Sequence, residues 1–301
     1  MVNDKSLLKI IISRNKNSKK EENKENQIIN QFSPPYLPDR WNTFNQSQLT
    51  HNCYSYFLND LFNRNVGNLH SPGVFDSIVN KKQINSNFLK NHSKGIIMNV
   101  INDNPEIKYV PLEQTSNFKC KKDYYRGMCL IDLKFPNYDF HFIRQDCLMI
   151  TTLRFYKLIS KNLELDKKNK INLIINIFKN LNTEFYLFLE KKLKNLSDSK
   201  KLKFIYENSF TWSHKRGSGI VSNKDASNNF IIDSLKSDWN YQDNLNYLPV
   251  CFFMVPNNII YKTHSTNINF NYDWINSKRD EEVGINDTDN LLIKEMIELI
   301  D

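Results

Sequence analysis

No two of the five cysteines (Cys53, Cys120, Cys129, Cys147 and Cys251) stand in a CxxC pair, and their number is odd. That spacing argues against a zinc ribbon, a redox dithiol and a disulfide framework, and it fits a reducing compartment. No GK[ST] follows Arg216-Gly217-Ser218-Gly219, which argues against a phosphate-binding loop. Long apolar runs are also missing. The cluster Leu7, Leu8, Ile10, Ile11 and Ile12 is interrupted by Lys9 and is too short for a secretion signal or a bilayer span. The expectation is an intracellular, cytoplasmic protein with no membrane span. Glycine is scarce, at 7 of 301 residues, while Asn, Lys, Ile, Tyr and Phe are in excess. This bias resembles the imprint of an AT-rich coding sequence, so the abundance of those residues says little about chemistry.

What is present is enough apolar material for a core. Hydrophobic residues make up 40% of the chain and aromatics 13%, which places it among globular proteins, with one elaborated domain as the expected organisation. The formal net charge is +8. Lysines gather in the run Lys16 to Lys24 and between Lys161 and Lys203, where they alternate with apolar residues. Such alternation reads as the solvated faces of helices rather than a nucleic-acid groove.

Residues 1–32 are polar, charged and aperiodic over most of their length and read as a flexible extension. Three prolines in SPPYLPDRW, Ser33 to Trp41, then fix an extended approach to a domain spanning 33–256, with Trp41 and Phe44 as anchors. Tyr54, Phe57, Leu58, Leu61 and Phe62 form one helical stripe, with Asn52 at the N-cap and Asn65-Val66-Gly67 as the stop. A second helix is expected over 74–92. GMCLIDLKF (127–135), a turn at Pro136-Asn137 and DFHFIRQDCLMI (139–150) read as a β-hairpin. In its second strand Phe140 and Phe142 lie on one face, and His141, Ile143 and Gln145 on the other. Further strands are expected at 210–215 and 249–255. Between them, about 152–204, Ile171, Ile174, Ile175 and Phe178, then Phe185, Phe188, Leu189 and Leu196, keep helical spacing and mark an inserted helical subdomain. A tail over 257–301 ends in a short amphipathic helix with Asp289 near its start and Ile293, Met296, Ile297 and Ile300 as its stripe. The fold class is therefore α+β, with a Cys-bearing helix packed on a central antiparallel sheet.

Cys53 opens the first of these helices. Unpaired backbone N–H groups and the positive end of the helix dipole favour thiolate there and activate a nucleophile. Papain-like enzymes use this geometry, with the general-base His on a strand of the sheet. His141 lies on such a strand 88 residues downstream, and His214 lies on the next. Together they form a candidate Cys-His-His set of nucleophile, base and orienting group. Each residue also has a plain structural reading. A lone cysteine is commonly a buried apolar group, His141 sits between two phenylalanines, and Arg144 and Asp146 can pair with each other. The orienting role could fall instead to Asp146, Ser213 or Asp225, and His51, His141, His214 and Asp225 could gather round a metal. No metal and no cofactor is the expectation.

Three blocks carry a specific resemblance: Asn52-Cys53-Tyr54-x-Tyr56; Asp139-x-His141-x-x-Arg144-Gln145-Asp146; and Trp212-Ser213-His214-Lys215-x-Gly217 with Asn223-x-Asp225-x-Ser227. Over residues 41–255 the chain resembles a group of small bacterial, viral and protist proteins with NCYAYA-like and DYHFYRQD…WSHKPG blocks. Its Cys-helix then His-strand order is similar to that of the papain-like, NlpC/P60-type thiol hydrolases. Ile143 replaces the group's usual aromatic residue and Arg216 its usual proline, and a long helical stretch stands where the group has a short turn.

The resulting expectation is a cysteine-dependent hydrolase or transferase acting on an amide, isopeptide or thioester, with a peptide- or amide-like substrate and no nucleic acid. Cys53, His141 and His214 are the catalytic candidates. Asn52, Gln145 and Asp146 are candidates for oxyanion stabilisation and support, and Arg144 and Trp212 for substrate contact. The competing expectation is a non-enzymatic scaffold that binds an acidic partner through its basic helices.

Overall fold

The computed structural model describes residues 33–42, 48–49, 51–60, 72, 93–114, 118, 120, 123–132, 139–241, 245–257 and 287–300. Among them are eight α-helices and one six-stranded, fully antiparallel sheet. The strands are β1 (Lys108–Pro111), β2 (Tyr124–Asp132), β3 (Asp139–Cys147), β4 (Phe210–Lys215), β5 (Val221–Ser222) and β6 (Leu248–Pro256), in the order β1-β6-β2-β3-β4-β5. The helices are α1 (Pro38–Trp41), α2 (Cys53–Phe57), α3 (Ser93–Asp103), α4 (Leu148–Ser160), α5 (Lys167–Leu181), α6 (Thr183–Leu193), α7 (Asp198–Asn208) and α8 (Asp287–Ile300).

Strand alternation divides the sheet into two buried faces. One carries Tyr125, Cys129, Phe142, Cys251 and Phe253 and is covered by α2 and α3 through Tyr54, Phe57, Ile96, Ile97 and Val100. The other carries Met128, Leu130, Ile143, Trp212 and Phe252 and is covered by Ile231, Trp239 and Tyr247 from the segment between β5 and β6. Gly127 lies directly beneath the ring of Phe57, where a Cβ would overlap the aromatic carbons. The lack of a side chain there lets α2 settle onto β2 and β3.

β3 passes straight into α4, and α7 returns through Ser209 into β4. The helical subdomain thus extends the β3–β4 connection over 148–208, wider than the expected 152–204. It does not displace β4, because Cys147 still pairs with Phe210 and Ile143 with His214. Closing a longer loop adds little entropy cost, so the hairpin survives the insertion. Asp166 caps α5 by accepting from the Asn169 amide at 2.7 Å. Ile171, Ile174, Ile175 and Phe178 then pack with Phe185, Leu189, Leu193, Leu202 and Ile205. α8 closes this core with Leu292 and Met296, while Asp289 accepts from Arg154 at 2.9 and 2.7 Å. Phe188, expected on the buried stripe, is instead 55% exposed.

α2 is much shorter than its apolar stripe suggests. It stops at Phe57 because Asn59 takes a left-handed φ of 55° and Asp60 N–H donates back to Ser55 O. Leu61 and Phe62, the stop at 65–67, the helix expected over 74–92 and the turn at 136–137 lie outside the described residues. Neither β1 nor β5 is anticipated by the sequence pattern. No helix among the described residues is long and apolar enough to cross a membrane.

Candidate active site

The β3–β4 ladder ends at Ile143↔His214, while β3 remains paired to β2 as far back as Asp139. The β4-facing edge of residues 140–142 is therefore left open, and the Cys53 thiol lies against it. Its Sγ is 4.0 Å from Phe140 O, the thiol's acceptor. Asn52 holds the start of α2 in place, its Oδ1 accepting from the Ser55 amide at 3.1 Å and the Ser55 hydroxyl at 3.3 Å.

The side chain of His141 points to the opposite face of the sheet from Phe142. There its Nε2 lies 3.0 Å from His214 Nδ1, and its ring lies 5.3 Å from the ring of Tyr247. His214 Nε2 is 2.9 Å from Lys224 O and 3.4 Å from the Tyr241 hydroxyl. A carbonyl oxygen can only accept, so His214 carries its proton on Nε2 and presents a lone pair at Nδ1. His141 must then donate from Nε2, which leaves its own lone pair on Nδ1. This is the ring nitrogen nearer the main chain; the Cys53 thiol packs with Phe142 on the α2 face, and among the described residues no hydrogen bond joins it to His141.

Burial sets the protonation of the site. It pushes the Cys53 thiol up to about 12, outweighing the Phe142 amide and the nearby Lys215 charge that pull it down. It also holds His214 down at about 4 and His141 well below the usual imidazole range, with the neighbouring His214 and Arg216 adding to the latter. At neutral pH burial keeps the Cys53 thiol protonated and both imidazoles neutral. The helix dipole, the expected activating influence, is weak because α2 has only five residues.

Several expected roles are corrected. Arg144 is fully buried and cannot meet a substrate. Its Nε donates to Asp146 Oδ1 at 2.7 Å, and its Nη1 to Tyr56 O at 2.9 Å and Asn59 Oδ1 at 2.6 Å. Asp146 also accepts from the Tyr56 hydroxyl at 2.7 Å and from Ser213. This network fastens α2 to β3 and β4. Neither Asp146 nor Ser213 orients His141, since both bond on the α2 face while His141 bonds on the other. Trp212, 1% exposed, is a core residue between Ile143 and Phe252 rather than a substrate contact. Gln145 is four residues beyond His141, about 13 Å along the strand, and accepts from Arg126 at 3.4 Å, out of reach of an oxyanion at Cys53. Asp225 accepts from the amides of Ser227, Asn229 and Asp238 and shapes its own loop. Among the described residues no group of three or more His, Cys, Asp or Glu is placed to hold a metal ion.

The sequence reading missed Lys224, Tyr241, Tyr247 and Lys215. The first acts through its carbonyl, which any residue supplies. The two tyrosines come from a segment about 100 residues beyond His141 with no periodic signal. Lys215 had one legible clue, since a residue next to His214 on a strand must face the α2 side.

No protein-family model, curated protein or solved structure matches this chain.

Proposed function

We propose that this chain is a thiol-dependent hydrolase or transferase of the papain-like kind, acting on an amide, isopeptide or thioester. The observation that carries the reading is the one-way hydrogen-bond relay Lys224 O, His214, His141, which leaves the basic nitrogen of His141 at Nδ1. A polar side chain that fixes the tautomer of a base beside a thiol is the working arrangement of such enzymes. The order of Cys-bearing helix, His-bearing strand and second His on the adjacent strand is that of the NlpC/P60-type arrangement.

In this reading His141 Nδ1 takes the Cys53 proton as the sulfur attacks the scissile carbonyl. The imidazolium then returns that proton to the leaving amine or thiol, and a thioester remains on Cys53. Water, or an acceptor amine in a transferase, gives a proton to Nδ1 and attacks the thioester. Collapse of that adduct expels the Cys53 thiolate, which recovers its proton from His141. His214 keeps its orientation and charge throughout. The neutral resting pair separates charge only when a carbonyl is present to receive the sulfur.

Alkylation with iodoacetamide at pH 7.5, mapped by mass spectrometry, tests this. Cys53 is expected to be modified faster than the other buried cysteines, Cys129, Cys147 and Cys251, and His141→Ala is expected to slow it at least tenfold. A Cys53 that stays unmodified, or reacts equally fast in His141→Ala, would remove the basis for an enzyme and favour the scaffold.

A further inference from the structure

Lys215 is completely buried. A lysine in that position is rare unless an anion compensates it, because removing an ammonium from water costs several kcal/mol. Yet no carboxylate pairs with Lys215 among the described residues. Its Nζ donates to Gln48 O at 2.6 Å and Gly217 O at 2.8 Å, two neutral carbonyls that use two of its three N–H donors.

Its placement points to an anion that forms only during the reaction. Lys215 follows His214, the last β4 residue paired to β3, so in register it stands across from Phe142, where the ladder has opened. Ser213, two residues earlier on the same face, meets Tyr56 of α2 at 2.7 Å. Gln48 lies in the segment that leads into α2, five residues before Cys53. Lys215 and Cys53 thus flank the same open stretch of β3 edge, on the same side of the sheet. We propose that Lys215 is a positioning residue of the thiol reaction, a cation fixed by two carbonyls whose counter-charge is the Cys53 thiolate formed when His141 accepts the proton.

The electrostatics of both groups agree. Burial lowers Lys215 to about 8 while the Cys53 charge resists that fall, and Lys215 in turn pulls Cys53 down. Asp139, at the start of β3, acts on the thiol in the opposite sense and more strongly while the thiol is at rest. It is engaged by the Tyr247 hydroxyl at 2.5 Å and by the Phe140 amide at 2.8 Å. Lys215 also explains how a thiolate can exist in a site whose helix is too short to stabilise one. It leaves His141 free to act as the base.

The inference rests on the thiol-enzyme reading, and its test separates the two. The rate of Cys53 alkylation by iodoacetamide is followed from pH 6 to 10 in the wild type, Lys215→Met and Lys215→Arg, with the fold of each checked by circular dichroism. Lys215→Met is expected to slow alkylation about tenfold at pH 7, and the gap from the wild type is expected to close above about pH 8, where Lys215 itself loses its charge. Lys215→Arg is expected to keep most of the wild-type profile. A purely structural lysine would change melting temperature and leave the pH profile of the folded fraction where it was, which overturns the proposal. If Lys215→Met does not fold, the wild-type preference for the anionic reagent iodoacetate over iodoacetamide decides the matter. A ratio no higher than that of free cysteine excludes a cation at the sulfur. Should wild-type Cys53 be inert to both reagents, the enzyme reading fails and this proposal goes with it.

Discussion

His141 Nε2 and His214 Nδ1 lie 3.0 Å apart on neighbouring strands, and the Lys224 carbonyl decides which of them donates. That direction is the property most worth testing. His214→Ala removes the acceptor and frees the His141 tautomer, so the alkylation rate of Cys53 in the folded protein is expected to fall about 10- to 100-fold. His214→Gln, whose side-chain oxygen can still accept, is expected to recover part of the rate. Equal rates in the wild type and His214→Ala would mean that the imidazole pair has no bearing on the thiol.

The Arg144–Asp146 pair makes a second prediction, this one about stability. Both side chains are fully buried, and Arg144 also lies 3.9 Å above the ring of Tyr56. Asp146→Ala strands a buried guanidinium and is expected to cost about 3–5 kcal/mol in denaturant unfolding. The double variant Arg144→Leu/Asp146→Leu removes both charges and is expected to be milder than Asp146→Ala alone. A loss below about 1 kcal/mol for the single variant would contradict the role of this pair in holding α2.

Gly127→Ala places a methyl group against the ring of Phe57. Overpacking of a close-packed core costs about 1–3 kcal/mol. Unfolding midpoints should show that loss, and the added variant Phe57→Leu should restore part of it. Additive destabilisation by the two changes would show that the contact between Gly127 and Phe57 does not govern the seating of α2.

Acid should destabilise the fold through the histidine pair. His214 titrates near 4 when folded, against about 6.5 in an unfolded chain, and His141 is shifted in the same direction. Between those values the unfolded state binds more protons, so stability rises with pH across the window and is lost as pH falls from about 6.5 towards 4. For His214 this amounts to roughly 3 kcal/mol. Equilibrium unfolding at a series of pH values should show the slope, and His214→Gln should flatten it. An unchanged slope in that variant would place the acid sensitivity elsewhere.

Much of the architecture was legible because it depends on short-range pattern. The alternation in DFHFIRQD put Phe142 and His141 on opposite faces, and the three-four spacing from Ile171 to Phe178 marked α5. The ends of elements were less legible. Nothing in the apolar stripe from Tyr54 to Phe62 signals that α2 stops at Phe57, because the left-handed turn at Asn59 is stabilised by distant partners, including Arg144 of β3.

The candidate site divides in the same way. Cys53, His141 and His214 stood out by residue type and by the helix and strands that carry them, and strand alternation assigned the faces of the two histidines. Arg144, Asp146, Trp212 and Gln145 were chemically suited to a site but are occupied elsewhere, since burial and hydrogen-bond partners follow from which strands adjoin. By itself the sequence determined the strand and helix periodicities, the order of the Cys and His blocks and the presence of an inserted helical stretch. Only the tertiary structure decided that β4 stays paired across that insertion, that its ladder opens at Phe142, that Lys215 is buried against the Gln48 and Gly217 carbonyls, and that the Lys224 carbonyl meets His214. Those outcomes depend on contacts between residues far apart in the chain, which local sequence pattern does not encode.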